Sequence, residues 1–555
     1  MPYDLIIRNG TVVDGSGGAR YRGDVAISGD RIASIGRIDE RGRREIDAEG
    51  HVVTPGFIDG HTHMDAQLFW DPLGKSSCWH GVTSVVMGNC GFTLAPSLPG
   101  KHRYVVDNLQ EAEEIPESAL SQGIDWTWET FPEFLDAVER TSKAINYGAQ
   151  IGHSAVRISV MEERAFGGKA TGDDIADMQK VLREALEAGA FGFSTSISDH
   201  HVTPDGQPIA SRSTSWEELG ALVGVLGEFG SRVFQLAVDT ERAESSDRDL
   251  ARTFYDQLHA FAVARRVPTT YGLRRQHLQD QLDTIDAVAA DGGVLFGQCQ
   301  STSETVWSFA TTMPFDGHPA WQPIRALPVD EQAALLRDPD RREMLVAATE
   351  ATHDRGASLD RLIPMREGSR QTVGEIAASL GTSALEVLIR CALETGMSTP
   401  FCRAENPERE KDLLVAMRHP RTVMTFGDAG AHVRRISGAV QQTTLLSLWV
   451  RERQEFSLEE AVRMITLDPA LAWRVPERGL LREGMVADIN VFDPETVAPG
   501  LPMIVPTLPG GLNRIENRAL GFRSTIVAGE EVFASGEHTG AFPGSLIRGP
   551  VPSQK

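Results

Sequence analysis

The 555-residue chain carries only five cysteines, Cys78, Cys90, Cys299, Cys391 and Cys402, odd in number and widely spaced. Such spacing builds no disulfide framework, so a reducing cytoplasm is the expected location. Positive charge is also scarce: 54 Lys and Arg stand against 77 Asp and Glu, a formal net charge of −23. That balance argues against nucleic acid and against an anionic membrane surface as partners. No apolar run is long enough to span a bilayer. The start, Met1-Pro2-Tyr3-Asp4-Leu5-Ile6-Ile7-Arg8, lacks the basic region and long apolar core of a signal peptide. There is no P-loop, no zincin helix and no CxxC pair. Gly152-His153-Ser154-Ala155-Val156 approaches a nucleophile elbow but lacks its final glycine.

What is present is the composition of a globular protein, 41% hydrophobic and 24% charged. Residues 1–54 read as short β-branched runs punctuated by Asn9-Gly10, Asp14-Gly15 and Gly29-Asp30, the signature of hairpins. The same style returns in Ala487–Asp493 and Ser524–Phe533. Residues 1–54 and 476–555 are therefore expected to form one small β-sandwich domain built from both termini.

Between them, strand and helix alternate. Candidate strands are 52–63, 82–91, 145–154, 190–196, 231–239, 268–273, 294–300 and 422–428. Helical spacing marks 173–188, 216–229 and 278–290. Eight such units predict an α/β fold, a (β/α)8 barrel of the triosephosphate isomerase type over 55–475. A doubly wound sheet is the alternative. The stretch 301–420 is too long for one βα unit and reads as an insertion between the seventh and eighth strands, either a cover over the barrel mouth or an outer decoration.

Barrel chemistry sits at the C-terminal ends of the strands. The first candidate strand ends in His61-Thr62-His63, whose imidazoles share a face because strand residues i and i+2 do. The second ends at Cys90, the third at His153 and the eighth at Asp428. Nitrogen, sulfur and oxygen donors from separate strands suit zinc. Cys90 also reads as a small buried hydrophobe. His200, His201, His318 and His432 read as loop or substrate-side residues rather than ligands.

With these residues in view, the sequence resembles the amidohydrolase superfamily. The resemblance is carried by Pro55–His63, by Asp428 and by the closing segment Gly479–Asp488. Trp79–Gly91 and Gly189–Thr195 narrow it to the D-aminoacylase (N-acyl-D-amino-acid deacylase) branch. The resemblance implies a metal-dependent hydrolase that cleaves the amide bond of an N-acyl amino acid. It also implies metal ligands: a strand-two cysteine matching Cys90, the pair His61 and His63, and an aspartate matching Asp428. The branch adds two histidines at the ends of strands five and six. Here those strands read Arg232–Asp239 and Pro268–Arg275, and neither holds a histidine.

The expectation is therefore one divalent metal, zinc, held by His61, His63, Asp428 and Cys90. Gln235 or Asp239 is a weaker substitute for the missing ligands. Asp428 is expected to move the proton from water to the leaving amine. His153 is expected to donate to the amide oxygen, and Arg274 with Arg275 to fork a substrate carboxylate. Other readings are cyclic-amide opening or deamination in the same barrel, and a binding barrel without catalysis. The partner is a small-molecule amide; assembly into a homo-oligomer is left open.

Overall fold

A computed structural model describes residues 3–230, 232–302, 304–352, 359–366, 368, 371–403 and 406–549. The eight strands of the barrel are β1 Phe57–Asp59, β2 Val82–Met87, β3 Asn146–Ala149 continued by Ile151–Gly152, β4 Gly192–Ser196, β5 Val233–Ala237, β6 Thr269–Gly272, β7 Leu295–Cys299 and β8 Thr422–Met424. Each pairs in parallel with the next in chain order. The ring closes just past the strand ends, where Thr62 bridges Ala429 in parallel and the Asp428 amide donates to the His61 carbonyl at 2.9 Å. Closure in sequence order excludes a doubly wound sheet, whose strand order reverses at a switch point.

The helices around the barrel follow from capping and amphipathic spacing. The helix α1, Gly172–Glu187, starts at Thr171, whose side chain accepts from the Asp174 amide while Asp174 accepts from the Thr171 amide. It buries Met178, Leu182 and Leu186 on one face. Helix α2, Trp216–Glu228, packs on β4 and β5, and α3, Leu278–Ala290, packs on β7.

A nine-stranded sheet draws on both ends of the chain. Its seam is Val52–Pro55, which pairs in parallel with Tyr3–Val12 and antiparallel with Ile489–Phe492. Leu5, Ile7, Val25, Ile27, Val53, Ile489, Val491 and Ile526 form its core. Two expectations are corrected here. Asn9-Gly10 is not a turn: Tyr3–Val12 is one strand with a bulge there, because the partner Tyr21–Ser28 runs past it and Asn9 tolerates a φ of 59°. The strand expected over 52–63 is two strands in different sheets, broken at Gly56. A side chain on Gly56 would meet the Thr83 hydroxyl at 2.2 Å, so only glycine lets the chain pass from sheet to barrel.

The segment between β7 and β8 holds a second core of its own, including Trp307, Phe309, Trp321, Leu388 and Phe401. Its small sheet is completed by Ile436–Ser437 from beyond β8, so it is tied to the barrel mouth from both sides. Its last helix, α4 Pro407–Arg418, packs beside β7 and β8. Among the described residues, no single helix is long and apolar enough to cross a membrane.

Candidate metal centre

The candidate ligands lie two to four residues past the strands, not within them. Cys90 has φ 54°, Asp428 φ 56° and His432 φ 50°. Non-glycine residues in the left-handed region cost about 1–3 kcal/mol each, and the rest of the fold offsets it. The Cys90 amide is held in that conformation by donating to Gln235 Oε1 at 2.6 Å.

His61, His63, Cys90 and Asp428 converge. His61 Nε2 lies 3.5 Å from Cys90 Sγ and 3.7 Å from Asp428 Oδ1, and His63 Nε2 lies 3.1 Å from Asp428 Oδ1. Tetrahedral zinc with bonds of roughly 2.0–2.3 Å places its ligand atoms roughly 3.3–3.8 Å apart. His61, His63 and Cys90 bring one donor atom each within 4.8 Å of one another, a grouping a metal ion can occupy. His61 is 1% exposed, His63 3% and Cys90 8%. His61 Nδ1 donates to Gln298 Oε1 at 2.6 Å, which leaves Nε2 as a lone-pair donor facing Cys90 and Asp428. Burial pushes the His61 pKa down to about 3, so the ring is neutral, as a metal ligand must be.

One carboxylate was not anticipated. Glu113, beyond the helix His102–Gln110 in the β2–β3 connection, is 2% exposed and faces His63 Nδ1 at 3.5 Å. His63, Glu113 and Asp428 form a second group with donor atoms within 4.8 Å of one another. No hydrogen bond satisfies the buried His63 Nδ1. Burial favours a neutral His63, but Glu113, Asp428 and Cys90 outweigh it and raise its pKa well above the usual value. Burial also pushes Glu113 up to about 7. The field at this spot is negative and attracts a cation. Only an acidic run, Glu111-Ala112-Glu113-Glu114, marks Glu113 in the sequence.

His432 joins the site as well. Its Nε2 faces Asp428 Oδ2 at 3.4 Å and its Nδ1 faces Glu114 at 3.1 Å, while Arg435 holds Glu114 at 2.6 Å. Burial lowers its pKa, but Asp428 and Glu114 raise it to about 10, so it is an imidazolium. Burial would raise Asp428, yet His432 and His63 hold its carboxyl well below the usual range.

Other expectations are corrected. His153 is 0% exposed; its Nδ1 bonds the Thr195 hydroxyl and its Nε2 bonds Glu218 at 3.0 Å. Both ring nitrogens are spent behind the barrel wall, so His153 does not contact substrate. Arg274 and Arg275 do not form a fork, because their guanidinium groups diverge. Arg274 lines the metal-site cavity, while Arg275 turns to Asp412 at 3.0 Å on α4. Asp239 caps the helix Thr240–Ala243 and does not line the cavity, whereas Gln235 does.

The cavity over these groups is about 420 Å³, with His200 and His201 on its wall. A separate cavity of about 650 Å³, at the opposite ends of β7 and β8, contains none of the candidate ligands. Gly272, the last residue of strand six, stands on the cavity wall. A side chain there would meet the Phe426 ring at 3.0 Å, and that ring packs edge-on against His61 with centroids 4.2 Å apart.

The profile of the amidohydrolase family matches residues 44–533. The chain belongs to the amidohydrolase family. Within it, the full-length likeness is to the D-aminoacylase branch. A D-aminoacylase of Alcaligenes xylosoxydans xylosoxydans is 28% identical over 99% of this chain and 98% of its own. A D-aminoacylase structure described by the role of its binuclear metal center, with one-metal activation and second-metal attenuation, has 25% identity and a TM-score of 0.66, covering 99% of this chain and 100% of its own. The N-acyl-D-glutamate deacylase of Bordetella bronchiseptica, complexed with zinc and a phosphonate mimic of the tetrahedral intermediate, has 25% identity and a TM-score of 0.65 at the same coverage.

Proposed function

We propose that this amidohydrolase is an N-acyl amino acid deacylase that works with one divalent metal, zinc. The reading rests on one observation: in a closed barrel mouth His61, His63 and Cys90 gather donor atoms within 4.8 Å, and Asp428 Oδ1 lies 3.1 Å from His63 Nε2 and 3.7 Å from His61 Nε2. The deacylase activities of the full-length relatives support the reaction class. The single ion is supported by strands five and six, which offer Gln235 and Gly272 in place of ligands.

When bound, such a metal supplies Lewis acidity toward a carbonyl and lowers the pKa of water from ~15.7 towards ~7. The chain's own residues do the rest. Asp428, ionised and open to the cavity, accepts a proton from the attacking water and delivers it to the leaving nitrogen. His432 orients the Asp428 carboxylate, Gln298 orients the His61 imidazole, and the charge of Glu113 lies beside His63. Arg274 attracts the substrate carboxylate. Hydrolysis breaks the C–N bond, leaving a carboxylic acid and a free amino acid.

For the chain as a whole, we further propose a β-sandwich domain from 1–54 and 476–555 and a catalytic barrel from 55–475. The buried free cysteines support a cytoplasmic location. Metal analysis of the purified protein, paired with a screen of N-acyl D- and L-amino acids, tests the function. About one zinc per chain with amide hydrolysis is expected; metal-free protein inert after zinc loading refutes it.

A further inference from the structure

With both ring nitrogens of His153 engaged behind the barrel wall, the donor to the amide oxygen must come from elsewhere. His201, in the loop after β4, lines the same cavity as His61, His63, Cys90 and Asp428. Strand β4 lies across the ring from β8, so His201 and Asp428 reach the mouth from opposite sides. His201 joins neither group of side chains close enough to share a metal ion.

Its ring is fixed in one tautomer. Ser196, the last residue of β4, has its hydroxyl oxygen 2.7 Å from His201 Nδ1. The same oxygen accepts from the Ser198 amide at 3.2 Å, and among the described residues no other acceptor is in reach of the hydroxyl proton. That proton therefore goes to Nδ1, and a neutral imidazole that accepts at Nδ1 carries its own proton at Nε2. The Phe92 ring, which also packs against His63, lies against His201 with centroids 5.2 Å apart. Among the described residues Nε2 has no hydrogen-bond or ion-pair partner, and the ring stands on the cavity wall.

When water adds to an amide carbon, the carbonyl double bond opens and negative charge collects on the oxygen. A fixed N–H aimed at that oxygen stabilises the transition state more than the substrate. We infer that His201 Nε2–H is this donor, a catalytic residue that bonds the oxygen as its charge develops and keeps its own proton throughout. The oxyanion then collapses, the C–N bond breaks, and the leaving nitrogen takes its proton from Asp428. Ser196 is a positioning residue that acts through His201. The inference rests on the deacylase reading above.

The test compares zinc-loaded His201→Ala and Ser196→Ala with the parent chain. Zinc content should stay the same in both. In His201→Ala, kcat on an N-acyl amino acid should fall about 10²- to 10³-fold with KM nearly constant. A phosphonate analogue of that substrate, tetrahedral at the reacting centre, should lose affinity about 10²-fold or more by direct binding measurement. Ser196→Ala should lose less of both, since the ring stays and only its tautomer is freed. Rates and affinities taken per zinc-bound chain keep misfolding from imitating the effect. Unchanged kcat and phosphonate affinity in His201→Ala, a rise in KM alone, or loss of zinc overturns the inference alone. No hydrolysis by the parent chain overturns the deacylase reading and the inference with it.

Discussion

The two sides of the barrel mouth are built from the same backbone and carry opposite chemistry. Beyond β1, β2 and β8, imidazole, thiol and carboxylate converge, with Cys90 Sγ 3.5 Å and Asp428 Oδ1 3.7 Å from His61 Nε2. Across the mouth, β5 offers Gln235, whose amide holds the Cys90 backbone, and β6 offers Gly272, whose side-chain space is taken by Phe426. The comparison teaches that the barrel provides positions, not ligands. A position without a ligand serves as packing or as a hydrogen bond to its neighbour.

Asp428→Asn breaks the ligand-bearing side most severely. Zinc content should drop and kcat/KM should fall at least about 10³-fold, because one change removes a ligand and the proton carrier. Metal analysis beside amide hydrolysis checks it, and full activity with full zinc would sink the assignment. Gln298→Leu acts one step back, by freeing the His61 ring. Zinc affinity measured by chelator competition should weaken about 10- to 100-fold.

His80 asks whether burial alone makes a histidine functional. It lies away from the mouth, bonded to the Thr443 hydroxyl at 2.7 Å and the Asn517 carbonyl at 3.2 Å, and burial pushes its pKa down to about 4. The unfolded chain protonates this ring below about 6.5 while the folded chain holds it neutral to about 4, so stability is lost as pH falls through that window. Between pH 7 and pH 5 the His80 contribution should be a loss of about 2 kcal/mol. Denaturant melts at the two pH values should show a smaller acid loss in His80→Gln; an identical loss would refute the assignment.

Gln235→His sharpens the comparison from the other side. It places a nitrogen beside Cys90 on the strand that lost its ligand, and zinc retention against a chelator should rise about tenfold. No gain would show that a side chain at this position beside Cys90 does not reach the metal.

Much of this was legible in the chain. The strand–helix alternation, the HxH pair and the turn-rich termini each follow from local periodicity, so the barrel, its first two candidate ligands and the shared terminal sheet could be read directly. Asp428 and Cys90 stood out as reactive side chains in glycine-rich strand ends. Glu113 did not, because an acidic residue in a connection reads as solvated, and only the path of the chain buries it against His63. His153 was misread for the converse reason: its place at a strand end suggested the cavity, while its two partners, Thr195 and Glu218, come from 42 and 65 residues away.

By itself the sequence determined the kinds of donor available and the absence of histidine on strands five and six, since composition and i, i+2 spacing are local properties. Tertiary structure alone decided which donors meet, that Gln298 sets the His61 imidazole, that Glu113 is buried beside His63, that Arg274 and Arg275 part company, and that α4 faces the mouth. Those outcomes depend on closing the ring of strands, which brings Asp428 to His61 across 367 residues of chain.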